Sequence, residues 1–75
     1  MSSLRKSFGR RLRSVRKVRD LSQERFAELL GISVDFLSLI ERGINSPSFE
    51  TLEQIAKSLE LPVKDLFDFK KDRSK

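Results

Sequence analysis

Apolar residues recur at three- and four-residue intervals along most of this chain. Phe8, Leu12 and Val15 stand at i, i+4 and i+7. That stripe predicts a first helix over residues 3–19. Gly9 reads as a mild weak point inside it. Asp20 and Leu21 form a short connection, and Ser22 is placed to cap a second helix that Gln23 and Glu24 enter. Leu21, one residue ahead of that cap, is placed to pack back as a staple. Phe26 and Leu30, with Ala27 beside them, form the apolar set of the second helix. Leu37 and Ile40 form that of a third, over residues 34–42, which stops at Gly43. A loop of Asn45, Ser46 and Pro47 precedes Ser48, a further cap. The fourth helix then carries Phe49, Leu52, Ile55, Ala56 and Leu59 on one stripe, with Glu50, Glu53, Gln54 and Lys57 on the wet side. Pro62 opens a fifth, short helix over residues 63–67, since proline suits a first turn. No internal repeat and no strand-like alternation appears. The pattern predicts an all-α domain of five helices around one core, spanning residues 1–69, and a charged tail over residues 70–75.

The stretch from Ser22 to Gly43 organises the rest. Counted from Gln23, apolar residues fall at positions four, eight, ten, fifteen and eighteen, with alanine at five and glycine at nine. A small residue at the fifth position lets two helices cross closely. The glycine, Gly31, can take positive φ and end the first of them. Ser33 can accept from the free N–H groups that open the second. This is the helix-turn-helix arrangement, in which the second helix is shaped to enter a DNA major groove.

Composition narrows the chemistry. The 75 residues suffice for one domain with a modest core. They include no cysteine and no histidine. Disulfides, thiolate metal sites and the commonest acid–base catalyst are therefore excluded, and neither an enzyme nor a cofactor is expected. No apolar run could span a membrane and no signal segment is recognisable, so the cytoplasm is the expected compartment. The net charge is +5. From Leu4 to Arg19 the basic residues Arg5, Lys6, Arg10, Arg11, Arg13, Arg16, Lys17 and Arg19 meet no acidic one. Such an excess implies a polyanionic partner, nucleic acid before anionic membrane. Much of it could equally be a solvated helix face.

Together, LSQERFAELLGIS, FLSLIERG, PSFETLEQIAKSLEL and the pair Leu66–Phe67 resemble the Cro/CI-type (XRE) helix-turn-helix family over residues 8–67. The resemblance implies a compact lambda-repressor-like DNA-binding domain. It points to small regulators such as restriction–modification controller proteins, phage repressors and antitoxins. It also implies an ion pair between Arg16 and Glu41, either a clamp that fixes the third helix or an ordinary pair at the core edge.

Candidate DNA contacts divide into two sets. Gln23 stands where free N–H groups and the helix dipole favour a phosphate, though it could merely solvate the helix end. Arg42 ends the third helix, and Asn45 and Ser46 follow in a loop that faces the duplex in relatives or simply closes a turn. For base reading, burial of Leu37 and Ile40 turns Val34, Asp35, Ser38 and Leu39 outward, with Ser33 at the tip. None of these is the arginine, glutamine or asparagine that grips purines in a bidentate manner. Val34 and Leu39 suit thymine methyl groups, although Leu39 could pack on a neighbouring helix or a partner subunit. Asp35 could accept from a cytosine amino group or only complement the helix dipole. Direct readout should be modest, with some reliance on DNA shape.

One short helix reads few base pairs, so a homodimer on paired half-sites about 34 Å apart is expected. Leu61, Phe67 and Phe69 are the interface candidates, with Phe49 secondary; Leu61 and Phe67 could instead cap the small core. The leading function is a sequence-specific transcriptional regulator of double-stranded DNA, with no small-molecule ligand evident. The alternative is an antitoxin-like protein-interaction module on the same fold.

Overall fold

The computed structural model describes residues 3–70. Four α-helices follow one another, α1 (Leu4–Val18), α2 (Gln23–Leu30), α3 (Val34–Glu41) and α4 (Phe49–Leu59), and a 3-10 helix (Val63–Phe67) closes the order. No strand occurs among the described residues. The basic tail expected over residues 70–75 lies, apart from Lys70, outside them.

Each α-helix opens in the same way. Ser3, Ser22, Ser33 and Ser48 hold extended backbone, and their hydroxyls accept from the N–H groups of Lys6, Arg25, Phe36 and Thr51. Each such cap contributes about 1 kcal/mol by satisfying a donor that the helix leaves free. The exits differ more. Gly31 ends α2 at φ 75°, as positive φ requires at little cost in glycine. Glu60 ends α4 in the same left-handed region at φ 57°, where a side chain is disfavoured.

The expected fifth helix is a correction. Residues 63–67 form a 3-10 helix, so the count is four α-helices and one tighter turn. The segment has five residues and its N-cap, Pro62, provides no side-chain hydrogen bond. So short a stretch gains few i-to-i+4 bonds, and the tighter pitch wins.

The core is one cluster. Leu12, Phe26, Leu30, Leu37, Ile40, Ile55 and Leu66 are fully enclosed, so every helix contributes to it. Ala27 is buried at the fifth motif position. Leu21 and Phe36 are half-buried against this cluster.

Two residues depart from expectation, and a third makes a bond that its spacing does not show. Phe49, assigned to the core stripe of α4, is 83% exposed. It is the first residue of the helix, and the inward stripe begins with half-buried Leu52. Gly9, taken for a weak point, is buried where α1 crosses the end of α3. A Cβ there would collide with the Ile40 carbonyl oxygen and stand 2.8 Å from that of Glu41. Gln54 is exposed on the wet side of α4 as expected, and from there its Nε2 donates to the Leu30 carbonyl at 2.6 Å. It thereby satisfies an acceptor at the end of α2.

Arginines tie the remaining loose ends. Arg11 is buried in α1, and its Nε donates to the Asp65 carbonyl at 2.8 Å. Arg19 Nη2 donates to the Leu59 carbonyl at 3.1 Å, at the C-terminal end of α4. Two of the basic residues that read as solvated charge therefore act as fasteners for free carbonyls.

Candidate nucleic-acid interface

The organising side chain of the helix-turn-helix is Glu41, the last residue of α3. It is 7% exposed overall. Its Oε2 accepts from Arg16 Nε at 2.8 Å and its Oε1 from Arg16 Nη2 at 3.1 Å. This side-by-side geometry is the strong, orienting form of the arginine–carboxylate pair. A third donor arrives from Gln23, whose Nε2 lies 3.0 Å from Oε1. Arg16 also donates through Nη1 to the Leu21 carbonyl at 3.0 Å. The Arg16–Glu41 pair thus joins α1, the connection before α2, the first residue of α2 and the end of α3.

That junction floors an open cleft. Arg13, Arg16, Ser22, Gln23, Glu24, Glu41 and Arg42 line it. Arg16 and Glu41 neutralise one another. What remains at the mouth is the pair of exposed guanidiniums of Arg13 and Arg42 beside the N-terminus of α2, with exposed Glu24 opposing them. Arg13 was not singled out from the sequence. The signal was available: it sits three residues before Arg16, on a neighbouring position of one helix face. Gln23 is in the cleft, but its amide is held by Glu41 rather than pointing free.

The outer face of α3 is set by its inner one. Leu37 and Ile40 are fully enclosed. Val34 is 36% exposed, and Asp35 is exposed beside it. Ser38 and Leu39 are half-buried. Ser33 is exposed, with its hydroxyl engaged by the Phe36 N–H at 3.0 Å. The outward set is therefore graded, most open at the N-terminal end of α3. After α3 the chain turns at Gly43, φ 79°, and the Leu39 carbonyl accepts from the N–H groups of Ile44 and Asn45. Asn45 and Ser46 are exposed beyond that turn.

The aromatic residues near the C-terminus are divided between core and surface. The ring of Phe67 packs on Phe8 at 5.1 Å and on Phe69 at 6.1 Å between centroids. Leu61, Phe67 and Phe69 are half-buried. Exposed Phe49 stands between two apolar grooves, one with Leu4, Phe8, Pro47 and Leu52, the other with Leu52 and Val63, and Phe67 borders both. No helix among the described residues is long and apolar enough to cross a membrane.

Comparison with known proteins agrees with this geometry. Residues 12–66 match the family model described as helix-turn-helix. The chain is 42% identical over 59 residues to the HTH-type transcriptional regulator YazB of Bacillus subtilis, covering 79% of this chain and 86% of that one. It is 35% identical over 69 residues to the control protein C.BamHI of Bacillus amyloliquefaciens, covering 91% of this chain and 85% of that one. Among solved structures, the restriction-modification controller protein C.AhdI of Aeromonas hydrophila superposes with a TM-score of 0.76 at 33% identity. That match covers 81% of this chain and 92% of the controller. Some other relatives are longer, and the chain spans 40% to 53% of their length.

Proposed function

This chain belongs to the helix-turn-helix family, and from that membership we propose how it engages DNA. It is a DNA-binding transcription regulator and not an enzyme. In the proposed complex α3 lies in the major groove. Ser33, Val34, Asp35, Ser38 and Leu39 face the base edges, while Gln23, Arg42, Asn45 and Ser46 meet the phosphates on either side. The observation that carries this reading is the sidedness of α3. Leu37 and Ile40 are sealed in the core while Val34 and Asp35 open to solvent at the start of α3, and exposed Arg42 follows its far end in a cleft shared with exposed Arg13. Phosphate contacts of this kind fix register, and the α3 face supplies the sequence information. With two apolar side chains and one acid among its readers, that face favours thymine methyls and a cytosine amino group.

The proposed working form is a homodimer on half-sites about one helical turn apart. Phe49 supports it: an aromatic ring 83% exposed between two apolar grooves suits burial by a second copy. Phe67 and Phe69, stacked at the edge of the same region, would extend the contact, with Leu61 beside the core. The interface expected from the sequence is thereby re-centred on Phe49.

Selection of bound duplexes from a random-sequence pool tests the reading. The affinity of the selected duplex should fall with salt at a slope of about 0.9 per phosphate neutralised. A protein that binds no duplex at low ionic strength would overturn it.

A further inference from the structure

The exposed face of α1 carries a row of four cations. Lys6, Arg10, Arg13 and Lys17 are spaced at four, three and four residues, so they stack along one side of the helix. All four are exposed. No acidic residue occurs anywhere in α1. Among the described residues, no side-chain hydrogen bond or ion pair holds any of the four. Nearby arginines behave differently: Arg11 and Arg16 in α1, and Arg19 at its C-cap, each fasten another element. Like charges at these spacings weaken a helix, and only Lys17, in the last turn, gains from the helix dipole.

The row is continuous with the proposed DNA-facing elements at two points. At one end Lys6 packs against Gly43, its Cγ 2.7 Å from where a glycine Cβ would stand, just before the loop of Asn45 and Ser46. Beside it, Arg5 Nη1 donates to the Ile44 carbonyl at 3.4 Å. Further along, Arg13 lines the cleft that holds Gln23 and Arg42. At about 1.5 Å of rise per residue the row from Lys6 to Lys17 runs for about 16 Å. One DNA strand presents a phosphate about every 3.4 Å of axis, so several phosphates lie within that length.

We propose that the Lys6–Arg10–Arg13–Lys17 face of α1 is a second phosphate-binding surface, which holds the backbone of duplex flanking the segment read by α3. The proposal rests on the DNA-binding reading above. It adds that the footprint extends beyond the base-contacting helix, and that α1 contributes affinity without sequence preference.

The test uses Arg10→Gln together with Lys17→Gln, since both are exposed, neither makes a side-chain hydrogen bond or ion pair among the described residues, and glutamine keeps comparable helix propensity. The probe is the duplex selected from the random pool, prepared trimmed to the selected segment or carrying about 10 additional base pairs, one helical turn, on each side. On the extended duplex the double variant should lose up to about 3.6 from the salt slope of the dimer, two phosphates per protomer at about 0.9 each. Between 50 mM and 200 mM salt that is up to about a 150-fold difference in how steeply affinity falls. On the trimmed duplex the wild-type protein and the variant should behave alike. An unchanged slope on the extended duplex overturns the proposal while leaving the α3 reading intact, and points to an acidic protein or an anionic membrane as the partner of this face. A wild-type protein that binds neither duplex overturns the α3 reading itself. Matching circular dichroism melting curves establish that the variant is folded.

Discussion

Gln23 Nε2 donates to Glu41 Oε1 at 3.0 Å, so the first residue of α2 is held by the last residue of α3. Glu41 is held in turn by Arg16. The orientation of α3, the helix proposed to enter the groove, therefore depends on a carboxylate that touches no base in that complex.

Removing that carboxylate should be costly. Glu41→Ala leaves the Arg16 guanidinium, whose side chain is 12% exposed, without its counter-charge. A loss of about 3 kcal/mol is expected in urea unfolding, the usual scale for orphaning one partner of a buried pair. Replacing both Arg16 and Glu41 by methionine should recover part of it, since no unpaired charge remains. A double variant as unstable as Glu41→Ala alone would show that the loss is not one of pairing.

Gly9→Ala should destabilise, although alanine is the better helix former. The propensity gain is about 1 kcal/mol. Against it stands overpacking of about 1–3 kcal/mol. The upper part of that range applies because the obstacle is backbone, the Ile40 and Glu41 carbonyls, which cannot rotate aside. Each kcal/mol lowers the midpoint of thermal unfolding by about 4–8 °C in a domain of this size. A raised midpoint would mean that α1 and α3 can separate without loss.

Phe49→Asp separates association from folding. The ring is 83% exposed, so the monomer should keep its stability within about 0.5 kcal/mol, the usual range for surface changes. Sedimentation should report a monomer at concentrations where the unaltered chain is dimeric. A variant that remains dimeric would remove Phe49 from the interface. Phe69→Asp should weaken the dimer too, with some loss of stability because the ring packs on Phe67.

Replacing thymine by uracil in the selected duplex removes only a methyl group. If Val34 and Leu39 read such methyls, affinity should fall at one or two positions per half-site, by about 1 kcal/mol each. Unchanged affinity at every thymine would shift the burden of recognition to DNA shape. Val34, at 36% exposed, should contribute more than half-buried Leu39.

Most of the helical frame was legible in the chain because its signals are local. Ser22, Ser33 and Ser48 cap their own helices, and Gly31 and Gly43 turn the chain after α2 and α3, while Ser3, read as the first residue of α1, is its cap. Features that depend on a neighbour distant in sequence were not legible. Gly9 looks like a flaw until the Ile40 carbonyl is known to lie against it. Phe49 keeps the helical spacing of the α4 stripe, yet no element arrives to cover it. Arg11 and Arg19 look like solvated charge until carbonyls 54 and 40 residues away appear beside them. In the candidate site, the pairing of Arg16 with Glu41 was suggested only by family resemblance. The capture of the Gln23 amide by Glu41 has no signature in spacing at all. The cleft that gathers Arg13, Gln23 and Arg42 arises from how α1 and α3 cross.

The contact of Gly9 with the last carbonyls of α3 fixes one further property. Two helix backbones that touch without an intervening side chain have no soft layer to shear, and the Arg16–Glu41 fork blocks rotation about the same point. In the proposed complex the reading helix, α3, is therefore cast in one piece with α1. When an operator departs from the preferred outline, the yielding member is the double helix, which must bend or twist to meet a rigid die.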